Sequence, residues 1–306
     1  MIRRFARLQN SLLTRLYFMK GMGLNMTDLS NENVIHIKKD NIEYLQFRKL
    51  LEYKDIIQHA YCLGTSRNFR TAKPNGNQEI NEQTYKKAIN DYEELCTELG
   101  ENYSNIVKPN QCHTKNVKVV DEKINRNNPD LNLTEYNMTD GLITNKKNII
   151  LSTTNADCIL LLFFDPVKKT IANVHSGWRG TLQRISVETI EKMEKEYNSN
   201  PQDIICCICP SIRKCHFEVK RDVYELFSKE FEELKEIGEI IIPDSEDEKW
   251  YIDTVKINKV ILENAGLKKE NIIDSRICSV CNSDLIHSYR VEKESFGLST
   301  AIIELK

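Results

Sequence analysis

The unbroken apolar run Ile159-Leu-Leu-Leu-Phe-Phe164 constrains this chain more than any other stretch. A short apolar run bounded by turn signals predicts a strand buried on both faces. Asp165-Pro-Val-Lys168 reads as a turn, because proline presets one dihedral and aspartate can bond its own backbone. Thr170 to His175 reads as a second strand. A hairpin closed at 165–168 pairs 164 with 169, 163 with 170, and so down to Cys158 with His175. Directly opposed residues share a face, with Cβ atoms roughly 4.5–5.5 Å apart. A thiolate and an imidazole at that separation can share one metal ion. Ser176-Gly-Trp-Arg-Gly180 then leads into a helix from Thr181, and a glycine-bracketed turn at a helix start suits an anion.

A simpler reading stands beside this one. A buried cysteine is commonly a small core residue, and a histidine ending a strand is commonly just hydrogen-bonded. Two features favour chemistry. Both residues fall at the same end of the hairpin, where sites gather. Asp157 and Arg179 also bring charge to an apolar neighbourhood, and buried charge needs a partner.

Composition excludes several classes. Lys plus Arg number 43 against 45 Asp plus Glu, so no basic excess points to nucleic acid. No apolar run approaches the roughly 20 residues that span a membrane. Ten cysteines show no small-scaffold disulfide framework, and no secretory signal precedes them. Reduced thiols in a cytoplasmic protein are the expectation.

Residues 1–26 carry Arg3, Arg4, Arg7, Arg15 and Lys20 with no acid before Asp28. They read as a targeting segment, a surface helix, or sequence upstream of a later start, and 1–33 as a poorly ordered extension. From 34 the pattern is regular. Val34–Ile37 and Ile42–Phe47 alternate as a hairpin, and Ile57–Leu63 is a strand. Glu79–Leu99 is an amphipathic helix stopped by Gly100. Asn116–Asp121 and Ile204–Ile208 are strands. Thr181–Tyr197, Arg221–Lys235 and 252–265 are helices, and Leu298–Leu305 closes the chain as a strand. With no linker or repeat, 34–306 reads as one α+β domain of mixed β-sheets with helices packed outside.

Thr154-Asn-Ala-Asp-Cys158 with His175-Ser-Gly-Trp-Arg-Gly180 resembles the signature of the laccase-domain family. That family is also called polyphenol oxidase or purine nucleoside phosphorylase, and includes bacterial peptidoglycan-editing factors. Gln111 and His113 resemble its Gln-x-His element. Gly64-Thr-Ser-Arg67, Cys209-Pro-Ser-Ile212, Cys215-His-Phe-Glu-Val219, Cys278-x-x-Cys281 and Ser288-Tyr-Arg290 are similar to further elements. Ser66 and Cys209 depart from the usual threonine and glycine. The resemblance implies that His113 joins Cys158 and His175 as a third metal ligand. It also implies an α+β fold, phosphorolysis of adenosine, inosine and methylthioadenosine, and adenosine deaminase activity.

Three ligands leave one position of a zinc ion open, the arrangement of catalytic sites. Copper is the second choice of metal. Six histidines are too few for multicopper oxidase chemistry. Asp157 is either a proton carrier or a structural acceptor. Arg67, Arg179 and Arg290 are the guanidiniums available to phosphate; Arg67 could equally be a solvated loop arginine, and Arg179 could simply hold its turn. Cys278-x-x-Cys281 looks like half of a structural zinc site. Cys206 and Cys209 do not supply the other half, since residues three apart on a strand face opposite ways. The function expected is a zinc-dependent purine nucleoside enzyme, with small-molecule nucleoside and phosphate as its partners. The rivals are a peptidoglycan-precursor amidase, a metal-free Cys158–His175 hydrolase, and a non-enzymatic zinc-binding protein.

Overall fold

The computed structural model describes residues 27–71, 81–121, 131, 134–234, 240–243 and 248–306. The basic segment 1–26 lies outside them. In chain order the strands are β1 Val34–Lys38, β2 Glu43–Phe47, β3 Ile57–Leu63, β4 Ile106–Val107, β5 Val117–Val119, β6 Gly141–Thr144 and β7 Ile150–Asn155. They continue with β8 Ile159–Asp165, β9 Thr170–Ser176, β10 Ile205–Ile208, β11 Glu218–Lys220, β12 Ile241–Pro243, β13 Lys249–Ile252, β14 Ile272–Asp274 and β15 Ser299–Leu305.

Two six-stranded sheets form, in the orders β1-β2-β3-β15-β7-β4 and β14-β10-β8-β9-β6-β5, with a small sheet β11-β13-β12. Both large sheets are mixed: β4 runs parallel to β7, and β5 parallel to β6, among antiparallel neighbours.

The apolar run explains the layering. Leu160, Leu162 and Phe164 of β8 join a core cluster with Leu45, Phe47 and Tyr61, so that face packs against the other large sheet. Ile159, Leu161 and Phe163 point the opposite way, into a cluster with Ile185, Ile190 and Met193 of the helix Ile185–Tyr197. Alternate residues of a strand face opposite sides, and here both sides are covered. The helix Glu82–Leu99 covers the outer face of the first sheet through Tyr92, Leu95 and Cys96. The order is therefore helix, sheet, sheet, helix. Each fully buried leucine or phenylalanine contributes roughly 1.5–3 kcal/mol relative to exposure.

The hairpin forms, but its register is not the one the turn suggested. Asp165 pairs with Thr170, and Leu160, not Cys158, lies opposite His175. The loop is Pro166–Lys169, one residue later than expected. Lys169 takes a left-handed φ of 51° to close it, while Asp165 Oδ1 accepts from the Val167 and Lys168 amides. The shift alters each pairing by two residues. An even shift keeps every side chain on its face, so Cys158 becomes the diagonal neighbour of His175.

Two helix boundaries also move. The expected helix Thr181–Tyr197 is two helices, Trp178–Leu182 and Ile185–Tyr197, separated where Arg184 turns to a positive φ of 56°. Arg184 then ion-pairs with Glu230 and Glu233, which anchors the corner. The helix Glu82–Leu99 begins later than expected, where Asn81 caps the Thr84 amide; residues 79–80 lie outside the described set.

Candidate active site

Three segments converge where β8 begins and β9 ends. Gln111 ties the first segment down: its Oε1 accepts from the Thr154 amide and its Nε2 donates to the Thr154 carbonyl, both at 2.8 Å. This copies a strand pairing and lays 111–113 alongside β7. His113, at φ 61°, then turns its ring inward. Cys158 follows the Ala156–Asp157 corner, and His175 belongs to β9. One ligand atom from each of His113, Cys158 and His175 lies within 4.8 Å of the others. Cys158 Sγ is 3.9 Å from His113 Nε2, and the two imidazole rings meet edge to face. Cys112, the neighbour of His113, is absent from the group.

Asp140 organises two of these residues, a role that no sequence pattern marked. Its carboxylate accepts from the backbone amides of Cys112, His113 and Thr114 and from the Thr114 hydroxyl. Its Oδ1 also meets His175 Nδ1 at 2.8 Å. Burial works against the Asp140 charge, but His175 and these donors hold its carboxyl below the usual range. With Nδ1 engaged, the remaining nitrogen of His175 is the one left for an ion.

Gly177 permits the close approach. A Cβ there would sit 2.7 Å from His113 Cδ2 and 3.2 Å from Cys158 Sγ. Electrostatics suits a soft cation. Burial pushes the Cys158 thiol up, yet His175 and His113 overcome this and bring it to about 6. Burial opposes protonation of His175, and Cys158 with Asp140 overrides it, to about 10. Cys158 and His175 thus each favour the charged form of the other.

The trio lines a cavity of about 600 Å³. Its other walls include Lys108, Asn155, Trp178, Phe217, Tyr289, Arg290, Glu294 and Phe296. Of the three arginines expected to meet phosphate, Arg290 lines this cavity. Arg67 does not: it is buried against Asp91 and Glu94 and donates to the Asn41 carbonyl. Arg179 does not either. It is exposed and lies over its neighbour Trp178, on a helix of five residues. Asp157 accepts from Ser279 Oγ and the Arg290 amide, one on each oxygen, as a structural acceptor would. Lys108 is the cation that sequence reading passed over. It is buried, among the described residues no hydrogen-bond partner holds its Nζ, and burial with nearby Arg70 lowers it to about 8.

Cys206 and Cys209 fall in different core clusters, on opposite sides of their sheet, as the spacing argument required. Among the described residues no helix is long and apolar enough to cross a membrane.

Two packed mixed sheets with an open His-Cys-His group at the end of one hairpin define a class of α+β protein. The chain belongs to the multi-copper polyphenol oxidoreductase laccase family, whose model matches residues 71–306. It is similar to purine nucleoside phosphorylase YlmD of Bacillus subtilis (strain 168), 31% identical over 56% of this chain and 61% of that protein. The chain thus spans about three fifths of that relative's length. Adenosine deaminase RL5, from an unknown prokaryotic organism, is 30% identical over 64% of this chain and 73% of its own. The crystal structure of Bacillus licheniformis hypothetical protein YfiH shares the fold, with a TM-score of 0.75 at 21% identity. It covers 90% of this chain and 100% of its own.

Proposed function

We propose that this protein is a zinc-dependent purine nucleoside enzyme, cleaving nucleosides with phosphate and deaminating adenosine. The observation that carries the reading is the His113–Cys158–His175 group on the wall of a cavity that also holds Lys108 and Arg290. The donors fit the ion. One thiolate and two imidazoles are the nitrogen–sulfur set that zinc favours, and Asp140 fixes the His175 tautomer as metal-binding histidines require. All six histidines have a place. His36, His59 and His287 are engaged by Glu43, the Phe47 amide and Glu292, so too few histidines remain for the several centres of a multicopper oxidase.

Zinc in a three-ligand site supplies a Lewis acid and a water of lowered pKa. The chain's own residues supply the rest. Lys108 and Arg290 bring positive charge to the wall of the same cavity, as binding a phosphate requires. Trp178, Tyr289 and Phe296 offer aromatic faces for a purine. Asp157, holding the Arg290 amide, positions the short helix Tyr289–Glu292 that carries it. Proteins named purine nucleoside phosphorylase and adenosine deaminase among the relatives support the same reading.

The test is purified protein with adenosine, with and without phosphate. Adenine and ribose 1-phosphate should form in its presence, and inosine with ammonia in either case. Turnover of a muropeptide amide but of no purine nucleoside would overturn the proposal in favour of the editing amidase.

A further inference from the structure

A second set of metal-ligand side chains lies apart from the first. Cys215, His216, Cys278 and Cys281 bring four ligand atoms within 4.8 Å of one another. The Sγ of Cys215 is 3.6 Å from that of Cys278 and 4.0 Å from that of Cys281. His216 Nδ1 lies 3.1 Å from the Cys215 sulfur, 3.6 Å from Cys278 and 3.6 Å from Cys281. A tetrahedron with Zn–S near 2.3 Å and Zn–N near 2.0–2.1 Å has S···S edges of about 3.8 Å and N···S edges of about 3.6 Å. The observed separations scatter about those edges, and none is the roughly 2.05 Å of a disulfide.

The surrounding backbone is built to present these ligands. His216 and Phe217 donate to the Arg213 carbonyl, which folds 213–217 into a turn with Cys215 and His216 at its apex. Arg213 clamps Asp274 with two hydrogen bonds of 2.9 and 2.8 Å, fixing that turn to the strand ahead of the Cys-x-x-Cys loop. Ser279 donates its amide to the Ser211 carbonyl, and Asn282 donates to the Cys278 carbonyl.

We propose that Cys215, His216, Cys278 and Cys281 form a closed structural site for zinc or a similar thiophilic divalent ion. Four protein ligands leave no open position, so this site does no chemistry of its own. Its effect is mechanical. It joins two loops some 65 residues apart in sequence, a long closure for one ion to make. Phe217 follows His216 directly and lines the cavity. Ser279, inside the Cys-x-x-Cys loop, donates to Asp157, the residue before Cys158. The ion would therefore hold one cavity wall in place from behind.

The experiment is elemental analysis of the full chain purified with reductant and without chelator. Wild type should carry about two ions per chain, Cys158→Ala about one, and Cys215→Ser/Cys281→Ser about one. Cobalt reconstitution of Cys158→Ala needs no change at the second site, so it stands even where the double variant fails to fold. Thiolate-to-cobalt absorption in that protein would come from the second site, because Cys158 is gone. Its absence, a Cys158→Ala protein that carries no ion, or a disulfide among Cys215, Cys278 and Cys281 found by mass spectrometry would each overturn the proposal.

Discussion

His175 and Asp140 are joined twice: the His175 amide donates to the Asp140 carbonyl at 2.7 Å, and its Nδ1 meets the Asp140 carboxylate at 2.8 Å. The first bond fixes the backbone and the second fixes the ring. Because the same carboxylate gathers the amides of 112–114, one side chain sets the distance between two candidate ligands. Asp140→Asn keeps the shape but turns an NH2 toward groups that themselves donate. Such an outer-shell change typically weakens metal binding 10- to 100-fold, and stability should fall by about 1–3 kcal/mol. Chelator competition and thermal unfolding measure the two losses; unchanged metal affinity would show that Asp140 does not orient His175 toward an ion.

Gly177→Ala should empty the same site while leaving the fold intact. The added methyl would meet His113 Cδ2 at 2.7 Å, and the nearest relief is for that ring to swing away. Metal content should drop sharply, with far-ultraviolet circular dichroism unchanged. Full occupancy would mean the turn relaxes instead.

The arginines separate cleanly. Arg290→Lys should raise the KM for phosphate by about tenfold, because lysine cannot grip phosphate with a planar fork. Arg179→Lys should leave it within twofold, since that guanidinium sits outside the cavity over Trp178. Steady-state kinetics at varied phosphate checks both. Equal effects would return Arg179 to the cradle.

Lys108 gives a pH signature. Its folded-state pKa, about 8, lies below the ordinary 10.5, so between those values the unfolded chain holds more protons and stability rises with pH. Below about 8 the buried ammonium carries its full cost, on the order of 2–3 kcal/mol. Lys108→Met should therefore be more stable than wild type at pH 7, and the gap should close toward pH 10. Phosphate use should suffer in the same variant. Denaturant midpoints at several pH values test the first claim, and a constant gap would contradict it.

Glu304 behaves in the opposite sense. Burial, then the Glu101 carboxyl beside it, raise it to about 8 from 4.5. The folded chain now holds the extra proton, so stability is fully present below about 4.5 and is lost as pH rises through 8. Glu304→Gln should remove that slope and be clearly more stable than wild type at pH 9. Unfolding curves at pH 5 and pH 9 decide it, and an unchanged slope would clear Glu304 of the effect.

How much of this was legible in the sequence depended on distance along the chain. The hairpin was, because an apolar run and a turn signal are local; the error of two pairings left its faces intact. Cys158 and His175 came together for that reason. Asp140 was not visible as an organiser, since its role rests on amides 26 to 28 residues earlier converging on one carboxylate. Arg67 and Arg179 stayed open between a phosphate contact and a local role because guanidiniums advertise anion binding wherever they stand, and only packing shows Arg67 held by Asp91 and Glu94 and Arg179 lying over Trp178. The partners of Cys278 and Cys281 escaped for the same reason: spacing rules see neighbours, while Cys215 and His216 arrive through the fold.

The tip of the β8–β9 hairpin has a practical use. Pro166–Lys169 lies some seven residues from the His175 end of the strand pair, roughly 20 Å along a β-strand. Val167 is 63% exposed there, and Lys168 and Lys169 are exposed beside it. A fluorophore, affinity handle or surface tether attached at Val167 would be anchored rigidly to the strands that carry the site while standing well clear of its opening, so the protein could be immobilised or followed optically as it works.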